Sequence, residues 1–438
     1  MTAVEWRFEN LVRSGSLVIG DGYRAKNDEL GGDGPIFLRA AYLQDTGFTL
    51  NRPDRFADAS VEQFGAKISH LGDVVITTKG NSIGRVGLIR EEQTGAVYSP
   101  HLSYWRSIRP DIINRKFLYY WSKSIEFQAQ LRGMGHGTDM APYLSLRDQL
   151  KLRITLPHRQ LQKAIGETLG ALDDKIELNR RMNETLEAMA RAIFRDWFVD
   201  FGPTRAKMEG RAPYLTPDIW SLFPKRLDDE GKPEGWENST IGQEVDVVGG
   251  STPSTKDAAF WGGDICWATP KDLSSLSTPV LLETERQITP AGLTQIGSGL
   301  LPVGTVLLSS RAPIGYMAIA QIPVAVNQGF IAMICNKRLS NVFVWLWTQA
   351  NIETVHQNAN GSTFQEISKA NFRPIELTVA APELLQAFDE TARPLFDRIV
   401  ANEKENRTLA VTRDFLLPKL MSGEVRVKDA EKLVGETT

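Results

Sequence analysis

The segment "IELNRRMNETLEAM", residues 176–189, carries an apolar stripe that two asparagines interrupt. Counted back from Leu186 in steps of three and four residues, the stripe runs through Asn183, Asn179, Ile176, Leu172, Leu169 and Ile165. This period is typical of the buried face of an α-helix or of a coiled-coil seam. A side-chain amide on such a face costs free energy unless it finds a hydrogen-bonding partner. The stretch therefore predicts a long helix that meets a partner for its asparagines.

The same stripe occurs again 223 residues later in the chain. The segment "IVANEKENRTLAV" (399–411) has Ile399, Asn402, Asn406 and Leu409 at the places of Ile176, Asn179, Asn183 and Leu186. The register holds without a gap from 144 to 193, and it carries "LRITLP" (152–157) onto "IELTVA" (375–380). Such self-similarity predicts two copies of one structural unit.

Shorter matches extend the repeat upstream, and Trp6 is given the place of Trp236. The matched pairs are "GGDGPIFLRA" (31–40) with "GGDICWATPK" (262–271), "GDVVITTKGNSIGRVG" (72–87) with "GTVLLSSRAPIGYMA" (304–318), "VYSPHLSYW" (97–105) with "AVNQGFIAM" (325–333), and "FLYYW" (117–121) with "FVWLW" (343–347). Most contain β-branched runs broken by Gly, Pro or Asn, which indicate strands. The predicted fold class is α/β (α+β), with two repeated β-rich domains joined by two long helices.

The repeat also divides the chain into segments. We expect a first β-rich domain at 1–157, a first long helix at 158–200, an irregular proline-rich connector at 201–235, a second β-rich domain at 236–380, a second long helix at 381–423 and a tail at 424–438. Gly170 and Pro394 predict a kink or a restart in the helices, and Pro418 is expected to end the second one.

The two stripes predict how the helices pack. Each β-rich domain precedes its helix, so antiparallel packing with a pseudo-twofold axis would place the domains at opposite ends. Centring each helix between its own asparagines pairs Asn179 with Asn406 and Asn183 with Asn402, while Leu172 then faces Arg413. Paired amides can satisfy each other and fix the register of a seam. The alternative is that the asparagines lie at the edge of the seam and bind water or a partner subunit.

Composition is that of an ordinary soluble globular protein, with 42% apolar and 24% charged residues among 438. We expect no signal peptide from "MTAVEWRFEN", no membrane span, and a cytoplasmic location, because two cysteines, Cys266 and Cys335, suggest a reducing compartment. A phosphate-binding loop, a Cys/His metal spacing and an Asn-Pro-Pro-aromatic methyltransferase motif are absent from the sequence. The five scattered histidines, read as surface or satisfied interior groups, are His70, His101, His136, His158 and His356.

The sequence does contain polar and cationic residues suited to recognising nucleic acid. The net charge of −3 argues mildly against nucleic acid, but the acid-free stretches 74–90 and 287–352 could form local positive surface. They could equally be buried strands. Arginine reads guanine, Asn and Gln read adenine, and small hydroxyls contact phosphates or bases. The candidate DNA-binding residues are Thr78, Lys79, Asn81, Arg85, Ser99 and His101 in the first copy, and Ser254, Thr255, Lys256, Thr269, Lys271, Ser309, Ser310, Arg311, Asn327 and Gln328 in the second. Each could instead serve ordinary turn chemistry.

Four motifs occur in the chain: "GGSTPSTKDAAFWGGDICWATPKDL", "SSRAPIGYMAIAQIPVAVNQGF", "ALDDKIELNRRMNETLEAMARAIFRDWFVDF" and "LLPKLMSGEVRV". Through these motifs, the whole chain resembles the DNA-specificity subunit of type I restriction–modification enzymes. The resemblance implies two target-recognition domains that each read half of a bipartite site. "TTKGNSIG" departs from "SSRAPIG", so we expect different half-sites.

The resemblance also implies a non-catalytic chain that binds double-stranded DNA. Two methyltransferase subunits, and translocase–nuclease subunits in the full enzyme, would assemble on its helices. No cofactor is expected in this chain; S-adenosylmethionine, ATP and magnesium would belong to the partners. Two alternatives stay open: a self-contained methyltransferase or nuclease fragment, and a coiled-coil adaptor that never touches DNA.

Overall fold

The computed structural model describes residues 3–44, 47–50, 52–57, 61–134, 143–361 and 365–437. Contacts divide the chain into two compact units. One consists of Met1–Ile176 with Arg407–Thr438, and the other of Glu177–Asn406. Each unit therefore holds one β-rich domain and part of each long helix. His136 lies outside the described residues.

The first unit is built on an antiparallel sheet with the strand order β2-β9-β6-β7. Its strands are β1 (Val4–Arg7), β2 (Leu17–Asp21), β3 (Phe37–Leu38), β4 (Leu43–Gln44), β5 (Gly47–Phe48), β6 (Val74–Thr77), β7 (Val86–Leu88), β8 (Val97–Tyr98), β9 (Leu102–Ser107) and β10 (Arg153–Leu156). Its helices, besides the long ones, are Phe8–Arg13, Arg115–Ser122, Ile125–Met134, Leu146–Leu150 and Val427–Thr437, with 3-10 turns at Asn27–Glu29, Ala40–Tyr42, Val61–Lys67 and Glu91–Gln93. Strand β3 pairs in parallel with β8, and β1 pairs antiparallel with β10.

The second unit contains a sheet with the order β12-β19-β16-β17-β14 and a smaller one with the order β15-β13-β18. Its strands are β11 (Glu237–Thr240), β12 (Asp246–Val248), β13 (Trp261–Ala268), β14 (Val280–Leu281), β15 (Arg286–Ile288), β16 (Val306–Ser309), β17 (Met317–Ala320), β18 (Ala325–Val326), β19 (Phe330–Ile334) and β20 (Glu376–Val379). Its short helices are Gly202–Met208, Pro217–Leu222, Ile241–Glu244, Pro270–Ser274, Pro290–Leu293, Asn341–Ala350, Ile352–Gln357 and Lys369–Phe372, with a 3-10 turn at Ala258–Phe260.

Strand pairing confirms the internal repeat. Val74 pairs with Trp105 as Val306 pairs with Met333, and Phe37 pairs with Val97 as Trp267 pairs with Ala325. One predicted equivalence is wrong. Trp6 pairs with Ile154, whose counterpart Leu377 pairs with Ser239, so Ser239 rather than Trp236 takes the place of Trp6. Small gaps near the start of each copy produced this error of three residues.

The acid-free stretches contain buried strands of both sheets. All four residues of β6 and of β16 are buried, and so are most of β17 and β19. Desolvating a carboxylate in such a strand is costly, which accounts for the absence of acids there. The interior-strand alternative therefore explains the strand segments of these stretches, whereas Lys79 and Arg311 lie in the same stretches outside the strands.

The long helices are Arg159–Phe198 and Pro382–Ser422, which begin 223 residues apart. Of the kink or restart expected at Gly170 and Pro394, the restart is wrong, because both helices are unbroken there. The kink stays a prediction. Pro418 does not end the second helix either, since the helix continues to Ser422. Its neighbours Leu416 and Leu420 are buried in the core of the first unit. Their burial offsets the backbone hydrogen bond that proline removes.

The connector and the tail are more ordered than expected. In the connector, two short helices each begin with a proline in the first turn, where the missing N–H has no intrahelical partner anyway. Phe223 from the same segment is buried in the core of the second unit. The predicted tail forms the helix Val427–Thr437, whose Ala430 and Val434 are buried in the first unit.

The helices pack antiparallel, and the predicted asparagine pairs are confirmed. Within the second unit, the amide of Asn179 donates to Oδ1 of Asn406 (3.0 Å), and the amide of Asn402 donates to Oδ1 of Asn183 (2.7 Å). Asn179 also donates to Glu405 and Asn183 to Glu403, partners that the stripe did not reveal. Among the described residues, Oδ1 of Asn179 and Oδ1 of Asn402 accept no hydrogen bond, so the amides are only partly satisfied.

The outer layer in the first unit resolves the poor match between Leu172 and Arg413. The guanidinium of Arg413 donates to Oδ1 of Asp173 (2.7 Å), and the hydroxyl of Tyr120 donates to Oδ2 of the same carboxylate (2.7 Å). Leu172 is thereby left in the apolar core. A buried carboxylate with two such donors is stable only while both remain in place.

We predict that Asp173→Ala lowers the free energy of unfolding by about 2–3 kcal/mol, because Arg413 and Tyr120 lose a shared acceptor in a poorly hydrated place. The neighbouring change Asp174→Ala removes only exposed pairs with Arg90 and Lys116, and it should cost less than about 1 kcal/mol. Urea unfolding of both variants measures the difference. Equal costs would contradict a structural role for the buried cluster.

A second prediction concerns pH. Burial raises the pKa of the Glu403 carboxyl above its ordinary value, although hydrogen bonds from Asn183 and Asn406 oppose the shift. The folded chain therefore binds this proton more tightly than the unfolded chain does. The resulting stability is fully present below the ordinary Glu pKa and is lost as the pH rises through the raised one.

Glu403→Gln, which stays neutral, should therefore unfold at a higher temperature than the unmodified chain at neutral pH. The difference should vanish on acidification below the ordinary Glu pKa. Thermal unfolding across a pH series measures it, with Glu390→Gln at an exposed position of the same helix as the control. A difference that does not depend on pH refutes the assignment.

Candidate DNA interface

In the first unit, the candidate site lies at the end of the sheet where the interior strand β6 ends. This end of the sheet is called the edge. The backbone N–H of Thr78 donates to the carbonyl of His101 (2.9 Å), and the N–H of Leu144 donates to the carbonyl of Thr78 (3.1 Å). The next residue, Lys79, forms an antiparallel bridge with Tyr143. Three separate segments of the chain therefore meet around Lys79.

The second unit repeats this geometry where β16 ends. The N–H of Ser310 donates to the carbonyl of Gly329 (2.8 Å), and the N–H of Ile367 donates to the carbonyl of Ser310 (3.0 Å). Arg311 then bridges Glu366, as Lys79 bridges Tyr143. The two predicted cationic contacts thus occupy equivalent positions, on equivalent backbone hydrogen bonds.

At each edge, a glycine lets one further loop cross close to the backbone of another segment. This close approach is called a glycine crossing. A Cβ on Gly22 would lie 1.9 Å from the carbonyl oxygen of Ser99, and a Cβ on Gly250 would lie 1.6 Å from that of Val326. Only glycine allows so close an approach of two backbones. The loop after Gly250 then reaches the edge, where the hydroxyl of Thr252 donates to Oε1 of Gln328 (2.6 Å).

The cationic side chains at these edges make only weak interactions with other side chains. The Lys79 ammonium lies 4.8 Å from the ring centroid of Tyr143, and the Arg311 guanidinium lies 3.7 Å from the Glu366 carboxylate. Lys271 is 2.7 Å from Glu285, whose hydrogen bond raises the pKa of the lysine and keeps it charged. Exposed pairs of this kind contribute little stability, so a DNA phosphate could displace the carboxylates at small cost.

Several predicted contacts instead support turns. Ser309 is fully buried, and its hydroxyl donates to the carbonyl of Pro313 and accepts from the N–H of Tyr316 (both 2.8 Å). Thr269 begins the helix Pro270–Ser274 with its hydroxyl donating to Asp272, and Oδ1 of Asn327 accepts from the N–H of Gly329. For these side chains the turn-chemistry alternative holds.

The other predicted residues divide by exposure. Thr78, Ser99 and Ser310 are buried, which makes their backbones part of the edge and removes their side chains from the surface. Arg85 is half-buried, and its guanidinium donates to the carbonyl of Leu43 (2.9 Å). The predicted residues with exposed side chains are Lys79, Asn81, His101, Ser254, Thr255, Lys256, Lys271 and Gln328.

The structure adds residues that the sequence did not single out. Arg24 is exposed two residues after Gly22, at the place that Thr252 takes after Gly250. Lys369 is exposed beside Gly249, with its ammonium 3.4 Å from where a Cβ on that glycine would lie. The glycines were the available signal, because each marks a close backbone crossing.

The described part of the chain contains no group of three or more His, Cys, Asp or Glu side chains arranged to hold a metal ion. None of its helices combines the length and apolar character needed to cross a membrane. Both cysteines are free, and burial raises the pKa of the Cys335 thiol to about 12.

Comparison with known proteins identifies the repeated domain. The family model "Type I restriction modification DNA specificity domain" matches residues 23–188 and 233–391, one match in each copy. The type I restriction enzyme HindI specificity subunit of Haemophilus influenzae is 25% identical over 329 residues, which cover 65% of this chain and 71% of that protein. The MjaIX specificity subunit of Methanocaldococcus jannaschii is 35% identical over 192 residues, 43% of this chain and 44% of that protein, so this alignment spans less than half of the relative.

A solved structure shares the fold. The S subunit of the type I restriction–modification system from M. genitalium superposes with a TM-score of 0.55 at 15% identity, over 96% of both chains. The family model covers more than half of the chain and describes a DNA specificity domain rather than a catalytic one. This chain therefore belongs to the type I restriction–modification DNA specificity family.

Proposed function

We propose that this chain reads a bipartite site on double-stranded DNA, with one half-site for each β-rich domain. Family membership supplies the coarse function, sequence recognition on DNA. The observation that carries the bipartite reading is the equivalent placement of Lys79 and Arg311 on the same backbone bridge in the two copies. Two equivalent edges with different side chains suit two half-sites of different sequence.

The two cations suit different contacts. An arginine fork donates to O6 and N7 of guanine at once, whereas a lysine ammonium acts as a point charge towards phosphate or a single base atom. Around them, the exposed His101, Gln328 and Lys256 supply further donors and acceptors. Phosphate contacts would fix the orientation of the duplex, and base contacts would carry the sequence information.

The proposed role is non-catalytic. The chain would direct adenine methylation and restriction that its partners perform: two methyltransferase subunits, and translocase–nuclease subunits in the full enzyme. S-adenosylmethionine, ATP and magnesium would be bound by those subunits in the cytoplasm. The paired asparagines would fix helix register and, through it, the spacing of the half-sites.

Arg311→Ala should weaken binding to the cognate site by about 1–3 kcal/mol and relax one position of one half-site, because a bidentate base contact is lost. Lys79→Ala should affect only the other half-site. Mapping of the methylated motif, together with gel-shift titration of the assembled complex, measures both effects.

The control for these two variants is Arg226→Ala, which removes an exposed arginine paired with Glu234 in the connector. It should change neither the motif nor the affinity. If Arg311→Ala and Lys79→Ala behave like this control, the edge residues are not DNA contacts.

Assembly gives a further prediction. The second long helix exposes Val411 (64%) and Phe415 (54%) one turn apart, an apolar surface suited to a protein partner. The isolated chain should be poorly soluble or bind DNA weakly, whereas co-expression with a methyltransferase subunit should give one specificity chain with two partners by native mass spectrometry.

Changing Val411 and Phe415 together to serine should weaken that complex without lowering the unfolding temperature of the chain. The matched control changes the exposed Val4 to serine. Sequence-specific methylation by this chain alone would refute the proposed division of labour.

A further inference from the structure

One arginine of the second β-rich domain is held by two tryptophans. The guanidinium carbon of Arg286 lies 3.5 Å from the ring centroid of Trp261 and 5.3 Å from that of Trp267. The two indoles meet edge to face, with centroids 5.0 Å apart. A guanidinium against an aromatic face keeps its N–H groups, which lie in its own plane, available to a ligand.

The tryptophans are themselves fixed. Trp267 is 2% exposed, and its indole N–H donates to the carbonyl of Ser251 (3.2 Å). The indole N–H of Trp261 donates to the carbonyl of Ser254 (3.1 Å). Trp267 also pairs with Arg286 in the register of β13 with β15. Arg286 therefore projects from a strand with a supported orientation, as a specificity residue requires.

The charge of Arg286 has no acidic partner in the part of the chain that the structure describes. The side chain is exposed, and among the described residues no carboxylate lies within ion-pair distance of it. The adjacent Glu285 faces Lys271 instead. An oriented guanidinium without an acidic partner does not have to break an ion pair before it binds a ligand.

Contacts link Arg286, which lies on β15, to the edge described above. Ser251, which accepts from Trp267, is followed by Thr252, which donates to Gln328. Lys271, close to the end of β13, contacts the residue that precedes Arg286. Continuous contacts therefore connect Arg286 with the candidate DNA interface of its own unit.

The first β-rich domain also has an arginine beside an aromatic ring, but that arginine has an acidic partner. Phe37 takes the place of Trp267, since Phe37 pairs with Val97 as Trp267 pairs with Ala325. Arg39 lies 5.1 Å from the Phe37 ring centroid, but its guanidinium also donates to the carboxylate of Asp54. The stacked arginine of the first domain is thus neutralised locally, whereas that of the second is not.

We infer that Arg286 reads a guanine in the half-site of the second domain, with two N–H groups on O6 and N7 of that base. This inference rests on the proposed function and names a specificity-determining residue for it. Guanine is the base that presents two acceptors side by side in the major groove, spaced for the arginine fork. The competing outcome is a phosphate contact, which carries charge without sequence information.

The test uses the full chain assembled with its methyltransferase partner, comparing Arg286→Ala and Arg286→Lys with the connector control Arg226→Ala. Motif mapping should show that Arg286→Ala accepts other bases at one guanine position of one half-site. Competition between the cognate duplex and one substituted there should show discrimination reduced by about 5- to 150-fold. Arg286→Lys should also lose discrimination, because an ammonium lacks the planar fork.

Salt titration separates base from phosphate. A base contact leaves the slope of log affinity against log salt unchanged in Arg286→Ala, whereas loss of a phosphate contact lowers it by about 1 with the motif intact. The second result overturns the inference, as does a motif without guanine in the affected half-site, or unchanged binding. Absence of any sequence-specific motif with the unmodified chain would instead overturn the proposed function.

The tryptophan support is tested by a double-mutant cycle. Trp261→Ala should reduce discrimination at the same guanine, and Trp261→Phe should retain most of it because the ring face remains. In the Arg286→Ala background, Trp261→Ala should have no further effect on discrimination. An equal loss in both backgrounds would show that Trp261 acts independently of Arg286. Thermal unfolding of each variant excludes a folding defect.

Discussion

An amide buried between two helices must meet another polar group, and this constraint aligns the long helices of the chain. Asn183 and Asn402 hydrogen-bond to each other, so sliding one helix by a turn would leave an amide facing an apolar side chain. Leucine and isoleucine layers alone would tolerate such a slide. The alignment comes at a cost, because the buried amide oxygens of Asn179 and Asn402 accept no hydrogen bond among the described residues.

Much of the fold could be predicted because its decisive signals are periodic. The stripe and its 223-residue repeat determine the helices, their antiparallel packing and the asparagine pairs. Helix-breaking residues were less reliable as predictors of where a helix ends. Pro418 lies within a helix because Leu416 and Leu420 are buried around it, and the predicted tail is helical because Ala430 and Val434 complete a core. Such gains depend on residues distant in sequence, which a local breaker rule does not weigh.

The candidate site was predictable only in outline. Lys79 and Arg311 were found because they follow equivalent strands, β6 in the first copy and β16 in the second. Ser309 and Thr269 looked alike in sequence but serve a turn and a helix cap, a distinction that depends on Pro313 and Asp272. Arg286 carried no local signal at all. Its orientation comes from contact with Trp261, which is not its neighbour in sequence. Its availability to a ligand comes from having no acidic partner among the described residues.

The glycine crossings at Gly22 and Gly250 divide each domain into a part that must be kept and a part that can change. At the crossing, any side chain would collide with the carbonyl of Ser99 or Val326, so the path of the backbone there is fixed by sterics. Directly beyond it, Arg24 and Thr252 are exposed, and these two side chains can be exchanged without disturbing the sheet beneath. If the proposed DNA contacts hold, a new DNA specificity can arise by exchanging exposed side chains next to the crossing, while the frame that presents them stays the same.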